Sequence, residues 1–96
     1  MSWLVLLRPV RPGLPVEPTE EESRIVAEHF EYLQRLCAEG KLVLAGPSHV
    51  AVGDSIGVAV YDLEDEEEVR AIVAADPAVA NGVMTAEVRP LRISVR

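Results

Sequence analysis

The apolar positions of this chain fall into short blocks separated by strong breakers. Trp3 to Leu7 is a continuous run of strand-forming residues closed by Arg8-Pro9, which predicts a buried strand. Pro9, Pro12, Gly13, Pro15 and Pro18 crowd the next ten positions and predict a stiff loop over 9–18. Thr19-Glu20-Glu21-Glu22 is a capping box, so a helix is expected from about Glu20 to Glu39, with Gly40 as its left-handed stop. Leu42 to Ala45 reads as a short strand ended by Gly46-Pro47. A loop over 48–55 follows, with Gly53-Asp54-Ser55 as its turn signal. Ile56 to Tyr61 is the third strand, with Gly57 as a bulge or close-approach point. Asp65, with Glu68 as its box partner, caps a second helix that buries Val69, Ile72 and Val73 and stops near Ala75, ahead of Pro77. After a turn over 77–82, a last strand runs from Val83 towards Val95, interrupted at Pro90.

The resulting order is strand, helix, strand, strand, helix, strand. This is the βαββαβ pattern of an α+β, ferredoxin-like sandwich, in which two helices cover one face of a four-stranded antiparallel sheet. A sheet with one wet face alternates apolar and polar residues. Here Trp3, Val5 and Leu7 alternate with Leu4 and Leu6, Leu42 and Leu44 with Val43 and Ala45, and Ile56, Val58 and Val60 with Ala59 and Tyr61. Both faces are apolar, which predicts a homodimer packed through the sheet.

Composition narrows the classes. The 96 residues, 49% hydrophobic, fit a single ordered domain spanning 1–96 with a modest core. The formal charge is −7, and the clusters Glu20–Glu22 and Glu64 with Glu66–Glu68 sit where helices begin and acids suit the dipole. An acidic chain with few aromatics is a poor partner for nucleic acid or an anionic membrane. No apolar run approaches the ~20 residues needed to span a bilayer. The N-terminus does not read as a signal peptide, and the one cysteine, Cys37, permits no internal disulfide. A cytoplasmic location is expected.

The candidate chemistry centres on two awkward placements. Ile25, Val26, Phe30, Leu33 and Cys37 read as one apolar helix face, and His29 falls among them. A buried imidazole without a partner costs on the order of 1–3 kcal/mol. Asp76 falls at the end of the second helix, where the dipole disfavours a carboxylate, although Asp-Pro is also a common turn opener. In a βαββαβ sandwich the end of the second helix lies near the first half of the first. Asp76 can there fix the tautomer of His29, leaving the other ring nitrogen for general acid or base work. Ser48, after Gly46-Pro47, and Arg8, at the end of the first strand, are weaker candidates for substrate binding. His49 reads as a loop histidine, and Cys37 as a thiol on a buried stripe. His29, His49 and Asp76 match no standard metal spacing, so no metal is expected. Phosphate-loop, nucleophile-elbow and dinucleotide signatures are absent from the sequence.

The segments His29-Phe30-Glu31-Tyr32-Leu33, Glu39-Gly40-Lys41-Leu42-Val43-Leu44-Ala45-Gly46-Pro47, Ala75-Asp76-Pro77 with Gly82, and Val88-Arg89-Pro90 resemble the YciI-related (YCII) family over nearly the whole chain. The resemblance implies a dimeric α+β barrel-type fold related to muconolactone-isomerase-like proteins, with an active site on a His–Asp pair, here His29 and Asp76. It also implies that some relatives are dehydrochlorinases of chlorinated hydroxyquinol-type aromatics. The proline-rich 9–18 loop, and Ala78 where an aromatic is common, depart from the better-known members.

Two functions follow. In the first, a small aromatic or enol-forming substrate binds between helix and sheet. His29 moves a proton in an isomerisation or elimination, Asp76 orients it, and no cofactor is needed. In the second, the domain is a non-catalytic ligand-binding or structural dimer module, and the pair locks two helices together.

Overall fold

The computed structural model describes residues 1–14, 17–49 and 55–96. Its elements are β1 (Ser2–Pro9), α1 (Glu20–Ala38), β2 (Leu42–His49), β3 (Ser55–Asp62), α2 (Glu66–Ala74), α3 (Pro77–Ala80) and β4 (Met84–Leu91). The strands form one antiparallel sheet in the order β2-β3-β1-β4, with the helices on one face. This is the expected α+β sandwich, with α3 added.

The sheet's helix-side face is set by the alternation in β1. Trp3, Val5 and Leu7 are buried and pair with Tyr61, Ala59 and Gly57 of β3. Leu33 and Leu36 of α1 and Val69 and Val73 of α2 close the core over them. The Trp3 indole N–H donates to Leu63 O at 2.9 Å, so a large ring is buried without an orphaned donor. Gly57 is a close-approach point: a Cβ there would lie 3.2 Å from Leu7 Cβ. On the opposite face Leu4, Leu6, Val58 and Val60 remain only partly buried.

Several boundaries differ from the pattern-based expectation. β2 does not stop at Gly46-Pro47 but continues to His49, and β4 passes through Pro90 to end at Leu91. Both are edge strands, where a proline need not break a ladder on both sides. The irregularity in the sheet lies not at Gly57 but between Leu42 and Leu44, where the register against β3 shifts. That extra residue puts Leu42 in the core, 4% exposed, while Leu44 is 54% exposed. Strict alternation predicts both on one face. Residues up to Asp54 of the expected Gly53-Asp54-Ser55 turn lie outside the described residues, and Ser55 opens β3.

Helix α1 starts as its capping box predicts. The Glu22 N–H donates to Thr19 Oγ1 at 3.1 Å, and the Thr19 N–H donates to Glu22 Oε1 at 2.8 Å. Gly40 follows with φ +77°. The buried stripe is Ile25, His29, Leu33 and Leu36. Phe30 is half-exposed and Cys37 exposed, contrary to the expected face, because each is offset by about 100° from the stripe's own residues.

Glu22 also binds Arg11, and with the Thr19 amide this holds its carboxyl at about 2, well below the ordinary 4.5. A depressed folded-state pKa gives stability that is complete above the unfolded value and is lost as pH falls from 4.5 through 2. In thermal melts over that range, Glu22→Gln is expected to lose less stability with acid than the unsubstituted protein; parallel curves would refute this linkage.

Candidate functional site

His29 and Asp76 meet. The His29 Nδ1 lies 2.7 Å from Asp76 Oδ1 and 2.8 Å from Oδ2. Both residues are buried, at 4% and 2% exposed. A carboxylate accepts and does not donate, so opposite an ionised Asp76 the shared proton sits on Nδ1, and a neutral ring carries its lone pair on Nε2. Nε2 makes no hydrogen bond to a described side chain or backbone group.

The local structure at Asp76 differs from the expectation and accounts for its place. The chain does not simply stop after α2. Ala75 is the C-cap of α2, and Asp76 is the N-cap of α3, a single turn with Pro77 at its first position. Proline is favoured there because its missing N–H would be an orphan in any case. Asp76 Oδ1 accepts from the Ala78 N–H at 2.9 Å. The carboxylate therefore opens a helix rather than burdening the end of one, and α3 packs against α1, carrying Asp76 to His29.

Two tyrosines surround the pair. Tyr32, on α1, donates its hydroxyl to Ile72 O of α2 at 2.6 Å and ties the helices together one turn beyond His29. Burial, and next the Asp76 charge, raise its phenol above the ordinary range. The same two causes, in the same order, raise the buried Tyr61 further. Both phenols stay neutral at physiological pH, so neither competes with the imidazole as a base.

On its other side His29 forms part of the wall of a cavity of about 410 Å³ between α1, the β1–α1 connection and the helix-side face of the sheet. Leu7, Leu33, Ala59 and Met84 contribute to its floor and sides. Phe30, 51% exposed, brings the cavity to the surface and holds its ring 5.2 Å from the imidazole. Among the described lining residues His29 is the only titratable side chain; Ser23 and Ser55 add hydroxyl groups. Such a space suits an uncharged apolar guest beside one imidazole and two hydroxyl groups.

The other sequence candidates fall elsewhere. Arg8 is exposed and pairs with Glu87, Nη1 to Oε1 at 3.0 Å. Ser48 is exposed in β2 opposite Ile56, and His49 is exposed opposite Ser55. None of the three belongs to the cavity wall. Cys37, expected on a buried stripe, is exposed. Pattern reading missed Leu14 and Met84 as wall residues and placed Phe30 in the core. Only the isolated Leu14 among prolines offered a signal. Among the described residues no three His, Cys, Asp or Glu side chains converge as a metal site requires, and no helix is long and apolar enough to cross a membrane.

Residues 1–92 match the family model of the YCII-related domain. The chain is 44% identical over 57 residues to the uncharacterized protein YjpA of Bacillus subtilis (strain 168), a match covering 59% of this chain and 64% of that protein, just under two thirds of its length. The structure resembles 5-chloro-2-hydroxyhydroquinone dehydrochlorinase (TftG) from Burkholderia phenoliruptrix AC1100, solved in complex with 2,5-dihydroxybenzoquinone. The TM-score is 0.72 at 21% identity, over 96% of this chain and 94% of that one. At this identity the likeness establishes the fold.

Asp76→Ala removes both the cap of α3 and the partner of a buried imidazole, and should cost roughly 2–4 kcal/mol in urea unfolding. Asp76→Asn keeps an oxygen for the Ala78 amide and should cost distinctly less. Equal losses in the two variants would contradict this division of roles.

Proposed function

Because the chain belongs to the YCII-related domain family, we propose that it is a small-molecule enzyme whose His29–Asp76 pair transfers a proton without a cofactor. The observation that carries this reading is a buried imidazole with one nitrogen committed to a carboxylate, set in the wall of an apolar cavity. A structural imidazole needs no such cavity beside it.

In the proposed reaction an aromatic or enol-forming substrate lies in the cavity with its acidic C–H or O–H at Nε2. Nε2 takes that proton, and the electron pair left behind moves into the substrate. In an isomerisation the imidazolium returns the proton to a different atom. In an elimination the pair forms a new double bond and the leaving group departs with its own electrons, as loss of chloride with a proton requires in a dehydrochlorinase. Asp76 holds Nδ1 protonated throughout and faces the positive charge that develops on the ring. The dehydrochlorinase with the same fold supports the elimination form.

We assign the partly buried outer face of the sheet to a homodimer. Leu44 and Val60 pair across β2 and β3, with Leu4 beside Val60 and Leu6 beside Val58, giving a contiguous apolar patch. A second copy of the same face is the simplest cover for it.

Two experiments test the reading. Turnover of lactone and chlorinated hydroxyquinol substrates should fall about 10²–10⁴-fold in His29→Ala. It should fall comparably in Asp76→Asn, because an amide donates to Nδ1 and moves the ring proton to Nε2, removing the base while keeping the fold. Unchanged rates in both would leave only the structural role, in which the pair ties α1 to α3. For the dimer, Leu44→Glu at an already exposed position should convert a dimeric species to a folded monomer in light-scattering chromatography. An unaltered mass would remove the sheet face as the interface.

A further inference from the structure

Leu14 lies in the proline-rich connection between β1 and α1, yet it is only 4% exposed. It is not part of the main apolar cluster between sheet and helices. It lines the His29 cavity, whose wall it shares with Leu7, Pro9, Pro18 and Val26. A loop leucine held this way is a roof, and a roof is useful only if it keeps its place.

The described part of the connection shows how it is held. The Val10 N–H donates to Val83 O at 3.0 Å, the Leu14 N–H to Arg11 O at 3.1 Å and the Glu17 N–H to Gly13 O at 2.7 Å. Arg11 closes the arrangement as a clasp. Its Nε donates to Glu22 Oε2 at 3.1 Å and its Nη2 to Glu22 Oε1 at 2.6 Å, a two-point contact of the strong kind. Nη2 also donates to Glu17 O at 2.9 Å. Gly13 lets the guanidinium cross, since a Cβ at that position would collide with the Arg11 side chain. Glu22 sits in the first turn of α1, about two turns before His29 on the same helix. The roof is therefore fastened to the element that carries the imidazole.

We propose that Leu14, held by the Arg11–Glu22 clasp, is the specificity-determining residue of the cavity and sets the size of the uncharged ring that can reach His29. The inference rests on the cavity being a ligand site, as in the proposed function, but not on proton transfer. The ligand class follows from the walls: among the described residues they offer no cation for an acid and one imidazole that can accept from a hydroxyl or N–H group.

The test uses the full chain and three neutral probes of increasing size: phenol, 1-naphthol and N-phenyl-1-naphthylamine. Binding is read by NMR from the His29 ring signals. Leu14→Ala should shift preference towards the largest probe by about tenfold, and Leu14→Trp should weaken that probe by at least about tenfold with phenol nearly unchanged, since one or two carbons in a fitted pocket carry effects of that size. Arg11→Met, at an exposed position, should blur the discrimination without altering the wall. That variant keeps the proposal open to refutation if a Leu14 variant fails to fold. The same ranking of probes in all folded proteins, or no response of His29 to any probe, overturns the proposal. A shifted ranking in a protein that turns over no substrate supports the roof and removes only the proton-transfer reading. An active protein with an unmoved ranking does the reverse.

Discussion

A carboxylate and an imidazole taken out of water must satisfy each other, and in this chain that requirement ties α1 to the turn that follows α2. His29 is the polar member of the buried stripe Ile25, His29, Leu33 and Leu36 that seats the helix, and without Asp76 it would leave a buried nitrogen unpaired. Asp76 answers two demands with one carboxylate: the His29 Nδ1–H and the first turn of α3. The rest of the helical layer is arranged so that both are met, with Tyr32 bridging α1 to α2 and α3 resting on α1.

In the proposed function the same pair divides the imidazole between structure and chemistry. Nδ1 is occupied and oriented by Asp76, and the proposed reaction assigns proton transfer to Nε2. The surroundings keep that arrangement simple. The nearby phenols are held neutral by burial and by the Asp76 charge, and the cavity wall carries no other titratable group among the described residues. The proline-rich connection then matters less as a linker than as part of the wall, because Leu14 and Pro18 come from it.

Much of this was legible in the chain. The capping box at Thr19, the glycine stop at Gly40 and the βαββαβ order follow from local rules, and the structure has them; the meeting of His29 with Asp76 is a geometric possibility of that order, which the structure realises. The errors share a cause. Edge strands tolerate Pro47 and Pro90, but no local signal says which strands are edges. A one-residue bulge turned Leu44 away from Leu42, and alternation has no means of foreseeing an inserted residue. A single helical turn such as α3 has no periodicity to read, so Pro77 reads as a stop although it is also a start.

Periodicity, capping and breakers specify the four strands, the two longer helices and their order, and mark two polar residues that need burial partners. Those properties depend on neighbours a few positions apart, where periodicity and capping act. Packing places His29 Nδ1 2.7 Å from an oxygen 47 residues away, sets Phe30 at the border of a cavity instead of in the core, and brings a loop leucine into that cavity's wall. Those facts depend on which edges the strands occupy and how α1 sits over the sheet. Such packing is set by the whole chain and is written in no local segment of it.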